Sequence, residues 1–397
     1  MMRSVPGLGL ALACLVSVLS ASRLPAHQAG TVSDSAGVHI VSIPARSLGF
    51  VPLVRATERF RTIGDVTLYH VTDAVFLPDG RLAVANAGSQ HVVFLDAAGA
   101  VDWRYGREGE GPGEFSSIRA LGVTADGALW AYDDRLGRLT EIPASGGEPR
   151  TRPLRPDDRI TSLEPLLVDW DGPVLAIRGE HRVFRSGGES RDTVPLFLVD
   201  AQGETRDTIG WWPGREKAFV GLNGGSGQLQ IGFGRDVFTG ARANTAVIGS
   251  SDVLDLSVFD GDGELVMKIV GGGSPVRVTK EAAEAWRRER VEGLSDHPEF
   301  AAAYEDVRIS DTYPAFDGLG VDADDRVWVG LHSAGAETGT WWIVGRDGPE
   351  GAVAVPAIGS VVAVSSDRLA VHARTELGEE YIVVYDIETI PNEETDP

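Results

Sequence analysis

The stretch Phe76-Leu-Pro-Asp-Gly-Arg-Leu-Ala-Val-Ala-Asn86 decides the fold, because it returns as Val123-Thr-Ala-Asp-Gly-Ala-Leu-Trp-Ala-Tyr-Asp133. Blurred copies follow at Val168-Asp-Trp-Asp-Gly-Pro-Val-Leu-Ala-Ile177 and Val321-Asp-Ala-Asp-Asp-Arg-Val-Trp-Val329. Each copy is a short apolar run, an Asp-Gly or Asp-Asp turn and a second apolar run, which reads as a hairpin. The turn glycines Gly80, Gly127 and Gly172 are 47 and 45 residues apart. Hairpins repeated at that period predict an all-β propeller.

Working outward, each hairpin is followed by further short strands. In the first unit, about Ile63 to Gly106, the strands are His70–Phe76, Arg81–Ala85, His91–Leu95 and Val101–Tyr105. Four strands with tight turns make one blade. Further units run at about Phe115–Leu154, Ile160–Gly210, Gly221–Gly271 and Phe316–Pro356. The strands in the first half of the Gly221–Gly271 unit cannot be placed from sequence. The last unit shows only Ser360–Val364, Arg368–His372 and Tyr381–Tyr385, while a surplus strand, Val38–Ile43, stands at the other end. The expectation is a six-bladed β-propeller of four-stranded antiparallel blades, its ring closed by that N-terminal strand, which removes an open edge. A seventh blade would need strands within 211–250. Lys280–Leu294, with Thr279 as N-cap, breaks the β rhythm and predicts a helical insertion (280–315) before blade five.

The chain has 397 residues, 43% of them hydrophobic, and a mean hydropathy near zero. It can bury a core and does not read as a polytopic membrane protein. Its 58 acidic and 36 basic residues give a formal charge of −22. Such a surface repels phosphate backbones and argues against nucleic acid. Residues 1–29 read as a secretory signal and short lead: Arg3, the apolar run Leu8–Leu19, and small residues at Ser20, Ala21 and Ser22, with cleavage between Ala21 and Ala29. The run is too short to favour a spanning helix, which needs about 20 residues. Cys14, the sole cysteine, follows Ala11-Leu-Ala, but apolar residues continue to Leu19, which argues against lipid anchoring there. These features predict export to the periplasm or beyond, one monomeric domain over 30–390 and a flexible acidic tail over 391–397. Cleavage after Ala21 would leave no cysteine for disulfides or nucleophilic chemistry.

The junction Tyr105-Gly-Arg-Glu-Gly-Glu-Gly-Pro-Gly-Glu-Phe115, with the hairpin Gly122–Asp133 and the strand Arg138–Ile142 after it, resembles the NHL repeat. The wider chain resembles a bacterial family of exported six-bladed β-propellers. The shared points are Asp34-Ser-Ala-Gly-Val-His-Ile-Val41, the linker at 109–115, the charged helical insert and the close Glu376–Tyr385. Later units depart from the repeat, and Asp325 stands where it expects glycine. The resemblance implies a fold and an exported location, and no assigned chemistry.

Candidate chemistry is sparse. The glycines of the linker do not form a phosphate cradle, since Glu108, Glu110 and Glu114 would repel phosphate and a strand follows. They suit a tight crossover between blades, with Phe115 wedged between sheets. His70 stands just before the first inner strand, and Arg119, Arg178 and Arg235 fall near inner or second strands; these four are the candidate ligand contacts at the channel mouth. Arginines placed there could bind a carboxylate or simply pair with neighbouring acids. Trp211-Trp212 and Trp341-Trp342 read as one core and one surface residue each, or as a platform for a sugar or peptide. The leading reading is therefore a binding scaffold for a protein, peptide or carbohydrate ligand, without catalysis or cofactor. The alternative is a metal-dependent hydrolase or lyase, with Asp73, Glu164 and Asp317 holding calcium at the channel mouth.

Overall fold

A computed structural model describes residues 30–44, 52–62, 66–143, 147–154, 163–178, 187–222, 225–271, 275–294, 296–332 and 337–389. The expected signal segment with Cys14 and the expected flexible tail lie outside them. The N-terminal part supplies β1 (Thr31–Ser35), β2 (Val38–Ile43) and β3 (Leu53–Arg61). The first quoted hairpin is β4 (Val71–Phe76) and β5 (Leu82–Asn86), and β6 (His91–Leu95) and β7 (Val101–Tyr105) complete its sheet in the order 4-5-6-7. The second is β8 (Ile118–Val123) and β9 (Leu129–Asp133), followed by β10 (Arg138–Ile142) and β11 (Arg150–Pro153).

A third sheet joins β12 (Leu163–Val168), β13 (Val174–Arg178), β14 (Gly188–Val199), β15 (Thr205–Leu222) and β16 (Gly225–Gln230). A fourth holds β17 (Val237–Arg242), β18 (Thr245–Ser250), β19 (Asp255–Asp260) and β20 (Leu265–Gly271), with β2 and β1 on its outer edge. The largest sheet runs β21 (Gly318–Val321), β22 (Val327–Leu331), β23 (Thr338–Gly345), β24 (Gly348–Pro356), then β3, then β27 (Glu380–Thr389), β26 (Arg368–Arg374) and β25 (Gly359–Val364).

The strands β4, β8, β12, β17, β21 and β25 each contact the next, and β25 contacts β4. Apolar clusters fill the gaps between neighbouring sheets. One joins Val84 and Val93 to Ala370, Ile382 and Val384, so the last strands pack on the first. Another holds Phe115 between Val92, Phe94 and Leu129. Sheets packed face to face around an axis, with inner strands touching in a closed circle, make the chain an all-β β-propeller.

The second hairpin shows why the repeat ends as it does. Asp133 is fully buried, and its Oδ2 accepts from the N–H groups of Ser116 and Ser117 at 2.6 and 3.0 Å while Oδ1 accepts from Leu136 at 2.8 Å. Asn86 holds the equivalent place. It accepts from the Tyr69 N–H at 2.7 Å and donates to the Thr67 carbonyl at 3.2 Å. Both side chains tie the incoming loop to the end of the second strand. Gly80 and Gly127 have positive φ (88° and 87°), and Asp325 follows at 58° with its carboxylate accepting from Thr245 at 2.7 Å.

The closing strand is not the one expected. β2 does not complete the last unit. It pairs in parallel with β20, and its alternating pattern buries Val41 and Ile43 against Ile269 and Trp342. β3 takes the expected place, antiparallel to β27, and also meets β24 in parallel through Leu53 and Val54. Its sequence, LVRATERFR, buries only Val54, half-buries Ala56 and Phe60 and breaks their alternation with Glu58, so its apolar pattern is weak. Residues 211–230 extend the third sheet as a long hairpin of β15 and β16.

Between β20 and β21 the chain forms α1 (Lys280–Glu292) and α2 (Pro298–Tyr304). Thr279 caps α1, its side chain accepting from the Ala282 N–H at 3.1 Å. Trp286, Tyr304 and Val307 pack on Ala218, Leu229 and Ile231 of the long hairpin. Arg287 donates to the carbonyls of Tyr304 and Val307, at 2.5 and 3.2 Å, tying the helices together.

Candidate functional site

The circle of inner strands encloses a cavity of about 880 Å³. Its floor is closed by the end of β17. The Ala243 N–H donates to the Val123 carbonyl at 3.0 Å, and the buried Arg242 donates to the Phe76 carbonyl at 2.9 Å. Gly240 backs onto Gly320, where an added Cβ would lie 2.7 Å from the facing Cα. These contacts run across the axis, from the fourth sheet to the first, the second and the largest, so the channel is blind at this end. A smaller cavity of about 400 Å³ lies beyond the floor, lined by Thr124, Asp126 and Asn244 among others.

Asp73 of β4, Arg119 of β8 and Glu164 of β12 line one side of the main cavity. Inner strands place them there because the start of each faces the open mouth. Asp73 is committed to the backbone: Oδ1 accepts from the Ala74 N–H and Oδ2 from the Leu121 N–H, both at 2.8 Å. This links the first and second sheets. Part of Asp73 faces the lumen, yet the protein packed around its carboxyl pushes its pKa up to about 7. Its two N–H donors and Arg119 oppose that rise, and Glu164 adds to it. Burial also raises Glu164, against the pull of Arg119. Arg119 is exposed to the lumen and forms no hydrogen bond or ion pair among the described residues, although both acids feel its charge.

His70 lines the mouth with φ at 55°, an uncommon left-handed conformation for a residue other than glycine. Arg178 and Arg235 are not in the cavity. Arg178 donates to the Thr193 carbonyl of β14 at 2.6 Å, and Arg235 to the Phe233 and Thr312 carbonyls at 2.9 and 3.0 Å, so Arg178 ties β13 to β14 and Arg235 ties its turn to the segment after α2. Asp317 does not join Asp73 and Glu164. It pairs with His332 at 2.9 Å, beside the ring of Tyr313 stacked on that histidine. Among the described residues, no three His, Cys, Asp or Glu side chains are grouped to hold a metal.

Sequence reasoning missed several members of the lining. Arg374 and His372, on the second strand of the last unit, meet Glu380. His372 Nε2 lies 3.3 Å from the Glu380 carboxylate without the alignment of a hydrogen bond, and burial holds its pKa down. Burial opposes the charge on Glu380, but the Val71 N–H and Arg374 outweigh it and lower its pKa. Arg242 escaped because the strand it ends was not placed. Trp341 and Trp342 split as alternation requires: Trp342 is buried, while Trp341 lines the cavity and covers Gly318 and Gly330. Trp211 is 61% exposed, whereas Trp212 packs edge-on to Phe259.

No family model matches the sequence, and no curated protein matches it. Solved structures are similar to it at low identity. A protein from Bacteroides fragilis NCTC 9343 shares 12% identity, covering 88% of this chain and 99% of that one, at a TM-score of 0.45. A member of the duf4221 family from Bacteroides vulgatus shares 10%, covering 85% and 98%, at 0.43. A gluconolactonase from Xanthomonas campestris shares 13%, covering 82% and 88%, at 0.39. These likenesses assign neither ligand nor reaction, and the fold rests on the ring described above.

Proposed function

We propose that this chain is an exported six-bladed propeller that binds a small molecule in its blind channel. The count of six takes the largest sheet as two blades joined by β3. Export follows from the sequence of the first 29 residues. The observation that carries the binding reading is Arg119: a guanidinium with no partner among the described residues, inside a closed-ended cavity on a ring of inner strands. Pockets of a few hundred to a thousand Å³ with a few convergent polar groups are the usual form of small-ligand sites. A guanidinium left without a partner in such a place is an interaction held open.

Ligand-observed NMR with a fragment library tests this. Several fragments should bind, and Ser360→Trp, which places a bulky ring at an exposed position on the channel lining, should abolish their binding. Hits that persist in Ser360→Trp, or a library with no hit, would overturn the reading.

A further inference from the structure

The lining differs from one side of the channel to the other. Asp73, Arg119 and Glu164 stand on three consecutive inner strands. The opposite side, from β21 and β25 with their neighbours, carries Leu319, Val361, Val362, Ile358 and the ring of Trp341, interrupted by Ser360, His372 and the Glu380-paired Arg374. A ligand that satisfies both sides carries a polar head and an apolar body.

We propose that the ligand is a small monocarboxylic acid with a compact apolar body, its carboxylate paired with Arg119 and its body laid on Leu319, Val361 and Trp341. This rests on the reading that the channel binds a small molecule, and it names the class.

The charged groups of the lining differ in what already holds them, and Glu164 has, among the described residues, only the nearby charge of Arg119. Both oxygens of Asp73 accept backbone N–H groups. Arg374 is held by Glu380 at 2.7 Å, and Arg242 by the Phe76 carbonyl. Arg119 alone, among the charged lining residues described, presents a forked set of N–H donors with nothing accepting from them. A carboxylate matches that fork in a bidentate pair. A cation would meet Arg119 directly. A phosphate dianion would bring a second charge against Asp73 and Glu164, with Arg119 the one lining guanidinium whose donors are free among the described residues. A monoanion fits the charge available. Its apolar part has a matching wall, whose burial contributes roughly 25 cal/mol per Å².

The test uses hexanoate and 3-phenylpropionate against their primary amides, with phenethylamine and inorganic phosphate as further probes. Binding is read by calorimetry on the mature chain. The acids should bind, and the amides should bind roughly tenfold or more weakly, as expected for loss of a charged pair. Arg119→Gln should weaken acid binding by a similar factor, and Arg119→Lys should restore part of it. Arg119 faces the lumen, so these variants should keep the wild-type unfolding temperature, which is measured alongside. Leu319→Ser should weaken 3-phenylpropionate more than acetate. Equal binding of acids and amides, preference for phenethylamine or phosphate, or an unchanged affinity in Arg119→Gln would overturn the acid assignment while leaving a ligand channel standing. If library fragments bind in the channel but neither acid does, the class is wrong. If nothing binds in the channel, the functional reading itself fails.

Discussion

Replacing Asp73 with asparagine probes the electrostatics of the channel most directly. Its carboxyl rises from 3.8 to about 7 on folding, chiefly because burial penalises the charged form. The sign follows from linkage. A group with a raised folded pKa contributes stability below its unfolded pKa, and loses it as pH climbs through the folded value. For Asp73 the loss begins near pH 4, ends a little above pH 7 and is flat beyond. Between pH 5 and pH 8 it amounts to roughly 2–3 kcal/mol. Asparagine cannot ionise, but its amide replaces one of the two acceptors that Ala74 and Leu121 use. That loss costs about 1–3 kcal/mol at every pH. The variant is therefore less stable at pH 5, and the gap to wild type narrows or reverses by pH 8. Glu164, Arg119 and His372 titrate or carry charge nearby in both proteins, so the difference between the two curves isolates Asp73. Urea unfolding of both proteins at four pH values, with a carbon-13 titration of the Asp73 carboxyl, provides the assay. A stability difference that does not change between pH 5 and pH 8, or a carboxyl titrating near 4, would refute the reasoning.

Other perturbations address the scaffold. Asp133→Ala leaves three backbone N–H groups without their buried acceptor, and should lower stability by on the order of 3 kcal/mol or more in urea unfolding. Gly106→Ala must adopt φ near 93° and would set a Cβ 2.5 Å from the Phe115 ring. It should cost roughly 2–4 kcal/mol, with near-ultraviolet circular dichroism reporting the disturbed Phe115, Tyr105 and Trp103 cluster. Thr279→Ala removes the α1 cap and should cost about 1 kcal/mol, seen as faster amide exchange confined to the first turn of α1.

Much of the scaffold could be read from residues alone because hairpins are local. The Asp-Gly turns at Gly80 and Gly127 need positive φ, glycine supplies it, and the short apolar runs on either side mark the paired strands. The crossover at Gly106–Phe115 was legible for the same reason: closely spaced glycines mark a tight path, and one aromatic marks what is buried. The third copy shows the limit, since Gly172 does not take the positive φ of the others. β3 shows another. It is held by its neighbours' edges rather than by its own apolar face, so its pattern carried little signal.

The candidate site was legible only in part. His70, Asp73, Arg119 and Glu164 came from their place at the start of inner strands, and the structure gathers all four in one cavity. Arg178 and Arg235 looked equivalent to Arg119 by the same rule. What separates them is whether a backbone carbonyl of a neighbouring segment lies within reach, as Thr193 does for Arg178 and Thr312 for Arg235.

Sequence by itself therefore determined the repeating unit, the turn chemistry and the inner strands of the clear copies, though not β17, because each of these depends on residues a few positions apart. Tertiary structure decided which segment bridges the last two blades, that β17 seals one end of the channel, and that Arg119 alone of the candidate arginines has no partner among the described residues. Those outcomes depend on contacts between groups 46 to more than 300 residues apart, such as Arg242 with the Phe76 carbonyl and Glu380 with the Val71 N–H. No local pattern encodes them, because ring closure sets every such distance at once.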